Sequence, residues 1–97
     1  MATYIVLSKF TDQGIRTVKD TTKRAEKLKT AVKKMGVTMT DIRWTIGRYD
    51  LVVTFDAPDD AAMTAVCLAI GAQGNVRSET LRAFTSAEMD AILAKVK

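Results

Sequence analysis

Tyr49 and Asp50 stand side by side in the segment Gly47-Arg48-Tyr49-Asp50, which separates two apolar runs. A phenol and a carboxylate at the mouth of a pocket could donate and accept a proton. The same residues also fit a structural role, in which Gly47 supplies an unusual backbone angle and Asp50 hydrogen-bonds the turn backbone. Tyr49 would then pack across the end of a hairpin or against a partner subunit. These residue types are common in turns, so we favour the structural role.

A second group of polar side chains falls on one predicted face of a β-sheet. Hydroxyl groups and two arginines among apolar neighbours could hold a small oxygenated or anionic molecule. From this face and the turn we predict a ligand-binding set, without assigning a catalytic residue: Tyr4, Ser8, Arg43, Thr45, Tyr49, Asp50, Thr54 and Arg82. The alternative is a partly polar dimer interface, in which the arginines pair with Asp41, Asp56 or Glu79.

The residues that are missing restrict the chemistry further. The chain has no histidine and a single cysteine, Cys67. This composition excludes an internal disulfide, a multi-thiolate metal site and a Ser-His or Cys-His nucleophile within the chain. We therefore expect no metal and no cofactor.

Positive charge is concentrated in one segment. The net charge is +4, and eight of the fifteen Lys and Arg residues lie between Arg16 and Lys34. Such a run can bind nucleic acid or an anionic membrane, but it is more often the solvated face of a helix. No groove-reading motif accompanies it, and no aromatic residues lie among the basic ones, so we expect no specific nucleic-acid binding and no membrane binding.

The hairpin around Gly47–Asp50 is the strongest structural signal. A tight turn centred on Arg48 and Tyr49 pairs Ile46 with Leu51, Trp44 with Val53, and Ile42 with Phe55, so that all six apolar side chains share one face. Trp44 is then buried, and Trp44→Ala should cost about 3–5 kcal/mol.

The remaining elements follow from apolar spacing and capping residues. Thr3–Phe10 and Asn75–Phe84 are predicted as strands, with Ile5, Leu7, Leu81 and Ala83 pointing toward the helices. The other side of these strands forms the predicted uncovered face together with Arg43, Thr45, Val52 and Thr54. A β-bulge in the last strand would reverse its faces. Helices are predicted from about Asp20 to Gly36, from Pro58 to about Gly71, and after the capping box Thr85–Glu88, with a short helical turn at Ile15–Lys19.

This order predicts one domain, residues 1–97, of the α+β class. Two crossover helices on one side of a four-stranded antiparallel sheet give a ferredoxin-like β-α-β-β-α-β arrangement with a C-terminal helix. No apolar run is long enough to span a bilayer, and no signal peptide is evident at Met1. We expect a cytoplasmic protein.

Several motifs in matching order resemble the GYD-domain family, whose name describes Gly47, Tyr49 and Asp50. They are Asp12-Gln13-Gly14-Ile15-Arg16, Gly47-Arg48-Tyr49-Asp50-Leu51-Val52-Val53, Ala57-Pro58-Asp59-Asp60, and Gly74-Asn75-Val76-Arg77 followed by Leu81-Arg82-Ala83-Phe84-Thr85. The resemblance implies a fold similar to dimeric α+β barrels, a group that contains ligand-sensing domains, monooxygenases, isomerases and haem enzymes. It implies no particular activity.

Two functions remain open at this point. The first is a non-catalytic homodimeric or higher homo-oligomeric module that binds a small ligand or has a regulatory role. The alternative is a cofactor-free monooxygenase-like or isomerase-like enzyme that uses Tyr49, Asp50 or Arg43. We favour the first, because the second needs acid-base groups and the chain lacks histidine. We expect the homodimer to form through the uncovered sheet face.

Overall fold

The computed structural model describes residues 1–97, which form four strands and four α-helices. In chain order they are β1 (Ala2–Phe10), α1 (Asp12–Arg16), α2 (Thr21–Lys34), β2 (Thr38–Trp44), β3 (Leu51–Ala57), α3 (Asp60–Ala72), β4 (Val76–Ala83) and α4 (Ser86–Leu93). A 3-10 turn, Val18–Asp20, joins α1 to α2. The predicted element order is confirmed, with α1 beginning three residues before the predicted helical turn.

The strands form one antiparallel sheet in the order β2-β3-β1-β4. The central strands β1 and β3 pair with each other, and α2 and α3 cross over between strands on one side of the sheet. This confirms the ferredoxin-like fold. No helix in the chain combines the length and apolar character needed to cross a membrane.

The hydrophobic core lies between the sheet and the two crossover helices. Val6 and Tyr4 on β1 are opposite Val53 and Phe55 on β3, and all four are buried. The helices complete the core through further apolar side chains, of which the most deeply buried are Val32, Met63 and Val66.

The predicted faces of β1 are wrong. Tyr4, Val6, Ser8 and Phe10 point toward the helices, and Ile5 and Leu7 lie on the side that no helix covers. The physical reason is that β1 is apolar on both sides, so the sequence alternation does not say which side is buried. A one-residue error in a strand exchanges every side chain between the faces.

The faces of β4 are reversed in the same way. Leu81 pairs with Ile5 on the uncovered side, whereas Thr80 lies under α3, where its hydroxyl is 3.1 Å from the Cys67 sulfur. Arg82 pairs with Tyr4 and therefore also faces the helices. The alternation of apolar and polar residues in β4 is weak, and the predicted faces rested on Leu81 and Ala83 alone.

The hairpin forms on the predicted face but in a different register. Trp44 pairs with Leu51 and Ile42 with Val53, which shifts the pairing by two residues and leaves a loop from 45 to 50. Thr45 closes this loop through a hydrogen bond of 2.8 Å from its N–H to the Asp50 carbonyl, and Gly47 has φ +124°. Because the register shifts by an even number of residues, each strand side chain stays on its predicted face. Ile46, however, moves into the loop and becomes fully exposed.

Trp44 is therefore not a core residue. Its side chain is 42% exposed, and its indole N–H donates to the Thr21 hydroxyl at 3.1 Å. The shift places it at the end of an edge strand, under the first turn of α2, where no element covers its outer side.

The C-terminal helix α4 begins as expected. Thr85 and Glu88 form the predicted capping box, in which each side chain binds the backbone N–H of the other. None of the α4 side chains is fully buried, and Met89 and Leu93 are about half exposed. The helix does not cover the free side of the sheet.

Candidate functional site

Asp50 fastens the hairpin loop to the end of β1. Its Oδ2 accepts a hydrogen bond from the Phe10 N–H at 2.9 Å, and its own N–H donates to the Ser8 carbonyl at 2.8 Å. The carboxylate thus satisfies a backbone donor where the β1 ladder ends. Asp50 therefore has a structural role, but not the expected one, because the backbone that its carboxylate binds belongs to β1 and not to the turn.

Tyr49 reaches from the same loop across the sheet to β4. Its hydroxyl donates to Glu79 Oε2 at 2.6 Å, and the Lys9 ammonium lies 5.7 Å from the centre of its ring. The hydrogen bond to the Glu79 carboxylate, together with burial, raises the pKa of Tyr49 above its ordinary value of 10.0. The phenol therefore stays protonated at neutral pH and joins the hairpin loop to the opposite edge of the sheet.

Three further residues of the predicted set lie on or beside the uncovered side. Arg43 binds Asp41 at 3.2 Å in an exposed ion pair, one of the pairings that we considered. Thr54 is opposite Ile5 on the neighbouring strand. Thr45 lies in the loop, where its hydroxyl donates to the Tyr49 carbonyl at 2.6 Å.

The other three residues of the set lie on the helix side. The Tyr4 hydroxyl donates to the Asp60 carboxylate at the start of α3, and this bond raises the pKa of Tyr4 above 10.0. The Arg82 guanidinium lies 5.5 Å from the centre of the Tyr4 ring. Ser8 is buried, and its hydroxyl is 2.9 Å from that of Ser78.

The predicted set is therefore not assembled into one pocket. Tyr4, Ser8 and Arg82 are separated by the thickness of the sheet from Arg43 and Thr54, because the faces of β1 and β4 are the reverse of those predicted. The turn residues Tyr49 and Asp50 are neighbours in sequence but bind different strands. Whether any of these residues contacts a ligand stays a prediction.

A small cavity between the sheet and the helices α2 and α3 was missed by the sequence reasoning. Its volume is about 70 Å³, and of the predicted ligand-binding set only Ser8 lines it. Small-molecule sites usually measure about 300–1,000 Å³. The cavity as it stands holds little more than a few water molecules.

The free side of the sheet carries a larger feature, which we call the open sheet face. At its centre, Ile5 and Leu7 of β1 lie between Val52 of β3 and Leu81 of β4. Leu81 is 44% exposed, and the other three are partly buried. Sequence reasoning identified this surface as uncovered but assigned most of its side chains to the wrong side.

Comparison with known proteins agrees with the motifs. A curated relative from Thermus thermophilus is 31% identical over 94 residues, which is 96% of this chain and 99% of the relative. That relative is named glutamine synthetase and cystathionine beta-lyase binding protein. No solved structure matches significantly. The family model of the GYD domain matches residues 4–93, and the chain belongs to the GYD-domain family.

Proposed function

We propose that this protein is a non-catalytic regulatory module that acts as a homodimer and binds other proteins. The observation that carries the proposal is the open sheet face, an apolar surface at the centre of the sheet that no element of the chain covers. The relative from Thermus thermophilus supports it, since its name describes binding to two enzymes and it aligns with nearly the whole of this chain.

The open sheet face has the composition of an interface core with a charged rim. Ile5 pairs with Leu81, and Leu7 pairs with Val52 on the adjacent strand. Complete burial of a side chain of this size stabilises a protein by about 1.5–3 kcal/mol relative to exposure. For a domain whose total stability is about 5–15 kcal/mol, covering this surface is a large gain.

A second copy of the chain is the occupant that fits. Charges on the open sheet face are partly divided, with Asp56 toward one end and Lys9 and Arg77, beside Glu79, toward the other. A two-fold axis that crosses the strands would bring the acidic end of one copy against the basic end of the other. Four strands spaced about 4.8 Å apart give the sheet a footprint of roughly 500 Å², which is a large part of the ~800 Å² per partner of a standard interface.

The C-terminal helix is compatible with this assembly. The alternative to a dimer is that α4 folds back over its own sheet and removes the need for a partner. Met89 and Leu93 of α4 and Val96 just after it are instead 43%, 53% and 71% exposed. Both apolar surfaces, the open sheet face and α4, are therefore free to meet a partner subunit.

The geometry does not support the enzyme alternative. The phenol of Tyr49 is hydrogen-bonded to Glu79, the carboxylate of Asp50 to the Phe10 N–H, and the guanidinium of Arg43 to Asp41. Each of these three groups is engaged by a different partner, whereas acid-base catalysis needs groups that converge on one substrate atom.

The dimer predicts a mass of twice 10.6 kDa in light scattering at micromolar concentration. Leu81→Glu and Leu7→Glu should each give a monomer, because a carboxylate at the centre of the interface would be buried without a partner. Ile46→Glu is the control, since Ile46 is equally apolar but lies fully exposed in the hairpin loop. Circular dichroism checks that each variant is folded. A wild-type mass near 10.6 kDa, or a dimer that survives both sheet-face variants, would rule out this assembly.

Protein binding is tested with purified enzymes from the same organism as this chain. We expect glutamine synthetase, cystathionine β-lyase or both to give saturable binding in isothermal titration calorimetry. An unrelated acidic protein serves as the control for non-specific attraction to the net charge of +4, and its binding should weaken steeply with salt. Failure of both enzymes to bind at physiological ionic strength would contradict the transfer of this role from the relative.

A further inference from the structure

We propose that the groove between α2 and the edge strand β2 binds an extended, acidic segment of a partner protein, which adds a strand to the sheet beside β2. The proposal rests on the proposed protein-binding function and assigns it a site. We call this site the α2–β2 groove, and its principal lining residues are Lys23, Glu26, Lys29, Met39, Ile42 and Trp44. It lies apart from the open sheet face and stays accessible when that face is covered.

Strand β2 is an unprotected edge for part of its length. It pairs with β3 on one side and with no strand on the other. An irregularity between Met39 and Asp41 interrupts the ladder, so the regular part of the edge runs from 41 to 44. Backbone N–H and C=O groups along such an edge can pair with an extended peptide, which is a common mode of peptide recognition.

The groove beside this edge has the size and floor of a binding site. Its volume is about 490 Å³, which is within the range of roughly 300–1,000 Å³ usual for ligand sites. Ile42 and the half-exposed Trp44 form an apolar floor, and the bond from the indole N–H to the Thr21 hydroxyl holds the Trp44 ring in place. Tryptophan and methionine are enriched where proteins bind one another.

The charge on α2 indicates which kind of segment would bind. The helix carries six Lys and Arg residues against one acid, Glu26. The two salt bridges of the chain are Arg43–Asp41 and Arg82–Glu88, so no lysine of α2 is paired with a carboxylate. Arg24 is turned away from the groove toward the Thr17 and Gly14 carbonyls.

This arrangement is unfavourable for the isolated helix. Lys23 and Lys27 are spaced four residues apart, as are Lys29 and Lys33, and like charges at this spacing repel each other. The only acid at the N-terminus of α2 is its N-cap residue Asp20, whose side chain caps no backbone N–H, although the helix dipole favours negative charge there. Carboxylates of a bound segment would relieve both effects, with Lys23 and Lys29 directly above the groove.

A peptide fits the groove better than a nucleic acid does. Binding of a single-stranded nucleic acid usually needs several aromatic side chains on which its bases stack, and Trp44 is the only aromatic residue that lines the groove. Glu26 and Asp41 also line the groove and would repel an unbroken row of phosphates. A strand can place its carboxylates at Lys23 and Lys29 and neutral side chains elsewhere.

The test uses a synthetic peptide with blocked ends that alternates glutamate and valine over the length of β2. Trp44 is the single tryptophan of the chain, so its fluorescence reports on the groove directly. We expect saturable binding of this peptide to the full-length protein. The double variant Lys23→Glu/Lys29→Glu should weaken binding by about tenfold or more, because two exposed ion pairs are replaced by repulsion.

The control is Lys33→Glu/Lys34→Glu, which makes the same change of charge on the same helix outside the groove and should leave the affinity close to that of the wild type. A peptide N-methylated at alternate positions keeps its carboxylates but loses strand pairing, and its binding should be lost. Equal weakening by both double variants, unchanged binding of the N-methylated peptide, or tighter binding of a single-stranded oligonucleotide of the same charge would each overturn the groove proposal.

The same variants separate this proposal from the function on which it rests. If Lys23→Glu/Lys29→Glu is a dimer of unchanged mass and no longer binds either enzyme, the groove is the site. If that variant still binds the enzymes with wild-type affinity, the groove proposal fails and the protein-binding function stands. If the wild-type protein binds the peptide but neither enzyme, the assignment of the enzymes fails and the groove stands.

Discussion

Phe55→Ala should lower the free energy of unfolding by about 3–5 kcal/mol, the usual cost of truncating a fully buried aromatic side chain. The Phe55 side chain has no exposed surface. It lies on β3 opposite Tyr4 on one neighbouring strand and Met39 on the other, at the centre of the core beneath the helices. Its removal leaves a cavity that the surrounding strands cannot close without breaking their ladders.

Chemical denaturation monitored by circular dichroism measures this loss. Phe84→Ala is the matched control, because the same side chain is removed at a position that is 50% exposed. The control should lose only about 1–2 kcal/mol, since half of the side chain is already exposed and its main further contact is the Arg82 guanidinium, 4.4 Å from the ring centre. Similar losses in the two variants would show that Phe55 does not occupy the centre of the core.

The sequence pattern predicts this large loss of stability for Trp44→Ala instead. Alternation correctly places Trp44 and Phe55 on the same face of the hairpin, but it does not distinguish the centre of the sheet from its edge. The two-residue shift in register moves Trp44 from its predicted partner Val53 to Leu51, where one side of the ring meets solvent. A tight turn and a six-residue loop give the same alternation, so the pattern could not choose between them.

The fold was predictable because several independent signals agree. The alternation in β3, the capping box at Thr85 and the apolar stripe of α2 each specify a local structure, and together they admit one ferredoxin-like order. The faces of β1 were not predictable in this way, because Ile5 and Leu7 are as apolar as Tyr4 and Val6. Only pairing with β3, which is distant in sequence, decides which of them is buried.

The predicted ligand-binding set relied on the assigned faces of β1 and β4, which the sequence does not determine. Its members therefore lie on opposite sides of the sheet. The contacts that define the roles of Tyr49 and Asp50 join residues thirty to forty positions apart, to Glu79 and to Phe10. No local pattern encodes such contacts. The α2–β2 groove was only partly predictable. The concentration of basic residues between 16 and 34 is evident in the sequence, but the apolar floor of the groove is not, because the pattern assigns Trp44 to the core.

Gly14 offers a second large effect, in a motif that sequence reasoning assigned only to family resemblance. This residue is buried in α1, at the point where α1 packs against the loop between α3 and β4. A Cβ atom at Gly14 would lie 1.9 Å from the Asn75 carbonyl oxygen. That oxygen accepts a hydrogen bond of 3.1 Å from the Thr11 N–H, so it cannot move aside without cost.

Gly14→Ala should therefore destabilise the protein by about 2–4 kcal/mol. This figure combines the usual cost of overpacking, about 1–3 kcal/mol, with about 1 kcal/mol for the weakened hydrogen bond.

Gly71→Ala provides a control of opposite sign. Gly71 also lies in a helix, but a Cβ atom added there would meet no other atom within 4 Å. Alanine is the better helix former there by roughly 0.5–1 kcal/mol, so this variant should be more stable than the wild type. Helix propensity alone predicts stabilisation at both positions. Denaturation midpoints that shift in the same direction for the two variants would show that α1 is not held against the α3–β4 loop by this close backbone contact.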